Sequence, residues 1–135
     1  MDKQILPGLR ITFLVHAITA FIFGLAYLLI PDTLLSLFAW PAQDLFVYRM
    51  VGAMELAFCA SSWYAYREQL WEKVRIVVEM EAVLTFLGAV VSLWGVLFAG
   101  TPPAGWINFA IFFVFGIAFD YFLYRETTIV LKPQT

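Results

Sequence analysis

Residues 74–98 are apolar at most positions, yet one line of residues breaks the pattern. Counting on from Glu81, the positions Thr85, Gly88, Ser92 and Gly95 follow at steps of four, three, four and three. That spacing puts one acid and four small or polar residues on a single face of a helix. Val, Leu, Phe, Met and Trp fill the remaining surface. About 25 residues at ~1.5 Å each are enough to cross a ~30 Å hydrocarbon layer with some tilt. Three further stretches have the same character, at residues 9–30, 45–66 and 105–124. The pattern predicts an all-α fold, an integral membrane four-helix bundle in a single domain.

Each predicted span carries its own narrow seam. Span one offers Thr12, His16, Thr19, Phe23 and Tyr27, and span two offers Tyr48, Gly52, Glu55, Cys59, Ser62 and Tyr66. Span four offers Phe109, Gly116, Asp120 and Tyr124. Helices packed around a common centre have this look, with small residues letting backbones approach.

The connections are also informative. Pro31 ends span one, and Pro31 with Asp32 or Thr33 makes a helix start that Pro41 stops. Leu34, Leu35, Leu37, Phe38 and Trp40 are too apolar for a free loop, so a short interfacial helix is expected here. A charged connection, residues 67–73, joins spans two and three, and breakers at residues 99–105 join spans three and four. Residues 125–135 read as a polar tail with a small apolar patch from Thr127 to Leu131. The first span contains His16 and is too long for a signal peptide, so it is expected to be retained.

Composition sharpens the picture. The chain is 63% hydrophobic and 13% charged over 135 residues, against ~45–50% and ~25% in soluble domains. Lipid must cover that apolar surface. A net charge of −2 with no basic run argues against nucleic acid. Cys59 is the single cysteine, which excludes an internal disulfide and a CxxC site. Seven of the eight Lys and Arg residues lie before span one, between spans two and three, or after span four; Arg49 is the other. The positive-inside rule then predicts a multi-pass protein of the cytoplasmic membrane with both termini in the cytoplasm.

The ionisable residues inside the spans are the candidate chemistry, because a charge there costs ~2.5–3.5 kcal/mol even on insertion scales. By helical rise, His16 and Glu81 lie ~10 Å from the cytoplasmic ends of their helices, Asp120 ~6 Å, and Glu55 ~16 Å, near the midplane. Three acids close together cannot all be ionised without a cation, so neutral acid–acid or acid–imidazole hydrogen bonds are expected. Glu79 lies ~200° from Glu81 around the helix and one turn after Arg75, which predicts an Arg75–Glu79 pair. Arg49 is expected to snorkel or to pair with Asp44 or Asp32, and Asp120 to meet Arg125 or water. The candidate ligand- or proton-binding set is therefore Glu55, His16, Glu81, Asp120 and Arg49.

A carboxylate-bridged metal pair wants Glu-x-x-His motifs, and the single histidine supplies none. Zinc on His16 and two acids is the remaining metal option. Haem would need a second histidine from another chain. No phosphate-binding glycine loop is present, and Cys59 lacks the base a nucleophile needs.

Residues Gly24-Leu-Ala-Tyr-Leu-Leu-Ile-Pro31 close span one, and Tyr48-Arg49-Met-Val-Gly52-Ala-Met-Glu55 open span two after a tryptophan-containing connection. This layout resembles the DoxX-like group of small four-span membrane proteins, over spans one and two. The resemblance implies a role near the quinone pool and carries over no catalytic residue.

The leading expectation is a membrane protein that holds a small lipophilic molecule, quinone- or lipid-like, between its helices near Glu55, His16 and Glu81. The alternatives are a proton- or cation-coupled transporter or channel subunit, working as a homo-oligomer, and a structural subunit of a larger membrane complex. No cofactor is specified, and membrane lipids are the expected surroundings.

Overall fold

The computed structural model describes residues 3–41 and 43–130 of the chain. Four long helices and one short one account for most of it: α1 (Pro7–Leu29), α2 (Pro31–Leu37), α3 (Leu45–Arg67), α4 (Trp71–Phe98) and α5 (Gly105–Val130). α1, α3, α4 and α5 are each long and apolar enough to cross a membrane. Their outward faces carry exposed Ile, Val, Leu, Phe and Trp side chains, Ile11, Val15, Val91 and Trp94 among them. The fold is all-α, as the seams predict.

Local signals explain the helix ends. Pro7 opens α1, where its missing N–H costs nothing. Pro31 opens α2 in the same way, with Asp32 in its first turn. Asp44 caps α3, its carboxylate accepting from the Phe46 N–H at 2.9 Å. The short helix α2 ends before Pro41, not at it. Ala39 takes a left-handed φ of 52°, the Trp40 N–H donates to the Leu35 carbonyl at 2.8 Å, and the Ala39 N–H donates to Ser36 at 3.1 Å. This is a Schellman closure with alanine where glycine is usual. It folds Trp40 back beside Leu35.

The helices associate in two tight pairs. α1 packs along α3 and α4 along α5, while contact between the pairs is sparser. Gly24 and Gly52 bring α1 and α3 together, and Gly88 receives the Phe112 ring between α4 and α5. The buried core cluster lies at the end of the bundle where Leu9 and Phe13 of α1, Ala65 of α3, Trp71, Val74 and Val78 of α4 and Phe119 of α5 meet.

The segment before α1 closes that end of the bundle. The Ile5 N–H donates to the Gln69 carbonyl at 2.9 Å and the Trp71 N–H to the Lys3 carbonyl at 2.8 Å, so the lead residues pair with the α3–α4 connection. Expected as a polar tail beyond Tyr124, the chain instead continues α5 to Val130. The reason is Glu126, fully buried. Its carboxylate accepts the Leu6 N–H at 2.9 Å and pairs with Lys3 Nζ at 2.6 Å, which places an anion at the N-terminus of α1. Leu131 and Lys132 lie outside the described residues.

Candidate functional site

His16, Ser62 and Glu81 converge from α1, α3 and α4. All three are buried. His16 Nδ1 lies 2.8 Å from Ser62 Oγ, Ser62 Oγ donates to Glu81 Oε1 at 3.4 Å, and His16 Nε2 faces Glu81 Oε2 at 3.6 Å. With the Ser62 proton on Glu81, Nδ1 must carry the imidazole proton it donates to Ser62. Nε2 is then a bare acceptor opposite Oε2, which has no hydrogen-bond partner. A single proton between Oε2 and Nε2 satisfies both atoms on modest contraction. The geometry is a three-residue ring in which Nε2 and Oε2 face each other at 3.6 Å.

α5 closes the cluster from its remaining side with rings alone. Phe115 and Phe119 meet the His16 imidazole edge-on, at centroid distances of 4.8 Å and 5.5 Å. Behind Glu81, the Thr85 hydroxyl donates to the Glu81 carbonyl at 2.6 Å, fixing that turn of α4.

The other face of His16 looks into open space. A cavity of about 140 Å³ lies between the helix pairs, lined by His16, Tyr27, Glu55, Phe58, Asn108 and Phe112 with their neighbours. A second cavity of about 130 Å³ continues toward α2, walled by Leu35, Phe38, Trp40 and Tyr48. Phe23, Tyr27, Val51 and Asn108 belong to both, so the two form one cleft. Tyr27 of α1 and Tyr48 of α3 stack on each other in its wall at 6.2 Å. The cleft lies where contact between the two tight pairs is sparse.

Of the predicted site residues, His16 and Glu81 meet, and Glu55 joins His16 in the cleft wall. Asp120 and Arg49 do not join them. Both are exposed on the outer surface of their helices. The buried face of α5 runs through Gly116, Phe119 and Glu126 instead of through Asp120 and Tyr124. Asp120 is the neighbour of Phe119, and one residue is ~100° of helix, enough to turn a side chain outward. Arg125 engages Tyr121, donating to its hydroxyl at 3.0 Å. Arg75 does pair with Glu79, at 2.7 Å.

Sequence reasoning missed two participants: Ser62 was legible only as a small packing residue, and Asn108 sits off the seam assigned to span four. It also missed Glu126, outside the site, which falls in the segment read as a tail. Among the described residues no three His, Cys, Asp or Glu side chains gather as a metal site; His16 and Glu81 form a couple without a third ligand.

No family model matches the chain, and neither a curated protein nor a solved structure matches it.

Proposed function

We propose that this chain is a multi-pass membrane protein that holds a small lipophilic molecule in the cleft between its two helix pairs. The observation that carries this reading is the cleft itself: apolar and aromatic walls with a few converging polar groups, His16, Glu55, Thr85 and Asn108, at its deep end. The outer surface of the four long helices belongs in lipid. The distribution of Lys and Arg puts both termini in the cytoplasm, so the α2 end of the cleft faces the opposite side. The likeness of spans one and two to DoxX-like proteins makes a quinone a sensible first probe. Native mass spectrometry of protein extracted gently from its own membrane tests the proposal. A reproducible added mass, reduced when Glu55 is replaced by Gln, supports it; bare chain mass together with no saturable binding of any lipophilic probe refutes it.

A second reading has its own support. His16 stands between the cleft and the buried Ser62–Glu81 pair, the order of groups a proton path needs. In that reading the chain exchanges protons across the membrane as part of an oligomer. Proton flux into liposomes that is unchanged by Glu81→Gln would remove it.

A further inference from the structure

The charges lining the cleft are one-sided, and that selects the kind of molecule it accepts. Among the described residues, neither cavity wall contains a Lys or Arg side chain; the ionisable groups there are Glu55, His16, Tyr27 and Tyr48. His16 is coupled to Glu81 at 3.6 Å. With one proton shared between them that couple is neutral overall, since a neutral imidazole beside a carboxylic acid and an imidazolium beside a carboxylate have the same sum. Glu55 is the other acid in the wall, and among the described residues it has no ion-pair partner.

Rings share its cavity: Phe23, Tyr27, Phe58, Phe112 and Phe115 line the same wall as Glu55, and the face of an aromatic ring attracts a cation. An acid set in a wall of aromatic side chains, with no Lys or Arg among the described lining residues, suits an ammonium or iminium centre carried on an apolar body. An anionic ligand would meet Glu55 with no counter-charge, whereas a cation gains a charge partner there that a neutral molecule of the same shape does not.

From this juxtaposition we infer that the cleft is a binding site for lipophilic organic cations, with Glu55 as the counter-ion and the surrounding rings as the cage. The inference rests on the proposed cleft-binding function and names its ligand class. The size suits a small fused-ring molecule, since each of the two connected cavities is between about 130 and 140 Å³.

Three probes of nearly equal shape separate the terms: N-methylquinolinium, 1-methylnaphthalene and 1-naphthoate, which are cationic, neutral and anionic. Their binding is measured on the full chain in lipid nanodiscs, with empty nanodiscs as the partition reference. The expected result is that the cation binds at least about tenfold more tightly than the neutral probe and that the anion is weakest. Glu55→Gln then removes the cation's advantage and leaves 1-methylnaphthalene within about twofold of its parent value. Equal or tighter binding of the neutral or anionic probe overturns the cation assignment while the cleft remains a lipophilic site. So does a cation preference that survives Glu55→Gln. Failure of all three probes removes the cleft-binding function and this inference with it. If Glu55→Gln does not yield monodisperse protein, Phe58→Leu replaces it. That variant keeps the wall filled and is expected to weaken the cation about threefold with the neutral probe little changed; an equal loss of both probes overturns the cage.

Discussion

Gly52 of α3 lies so close to Gly24 of α1 that a methyl group placed on it would stand 2.8 Å from the Gly24 carbonyl oxygen and 2.6 Å from the Leu28 amide nitrogen. Both are backbone atoms, with no rotamer to turn aside. Gly52→Ala must therefore part α1 from α3, at a cost of ~1–3 kcal/mol that exceeds the ~1 kcal/mol helix gain of alanine over glycine. At Gly116 the same methyl would meet Thr85 Oγ1 at 3.5 Å, an ordinary contact. Thermal unfolding in detergent should show Gly52→Ala lowered and Gly116→Ala equal to the parent or raised.

Glu126 supplies the second prediction. It is fully buried and serves both Lys3 and the Leu6 N–H. Lys3→Met leaves a buried carboxylate without its cation, and loss of one partner from such a pair costs ~3–5 kcal/mol. Glu126→Gln keeps an acceptor for Leu6 and should be milder than Glu126→Ala. The double variant Lys3→Met, Glu126→Gln should recover part of the loss, as a double-mutant cycle by denaturant titration would show.

Ser62 joins His16 to Glu81 from the third helix. Ser62→Ala strands two buried polar groups, an expected loss of ~1–3 kcal/mol. Combined with His16→Phe, the total should fall short of the sum by ~0.5–3 kcal/mol, because the serine hydroxyl has no imidazole left to serve. Additive losses would mean that the three side chains do not act as a unit.

Asp120 and Arg49 are exposed and lie outside the cleft walls. Asp120→Asn and Arg49→Gln should leave binding of any cleft ligand within about twofold of the parent, as surface changes remote from a site do. Larger effects in the nanodisc binding assay would place one of them at the ligand.

Much of this architecture was written in the periodic pattern. Glu81, Thr85 and Gly95 are buried along one face of α4, and Gly52 and Ser62 along one face of α3, where three- and four-residue steps put them. Rise per residue also placed His16 and Glu81 at one depth, and they meet there. The pattern failed on α5. Its twelve positions from Phe109 to Asp120 are apolar except at the last, so nothing in the hydrophobicity tells the inward from the outward face. Only the fit of Phe112 on Gly88 and of Phe119 on Phe13 decides it. Glu126 was illegible for a different reason. A buried acid near a chain end looks like a solvated one until its partner, more than a hundred residues earlier, is known.

The pairing of Lys3 with Glu126 also sets an order in time. The two residues are 123 positions apart, so Lys3 is synthesised before α1 and its carboxylate only when α5 is almost finished. The backbone bonds from Lys3 and Ile5 to the α3–α4 connection can form earlier, once residues near Gln69 and Trp71 exist. Through the making of α4 and most of α5 the lead segment can thus be fastened on one side only. The N-terminus of α1 can receive its counter-charge only after α1, α3 and α4 and most of α5 have been made.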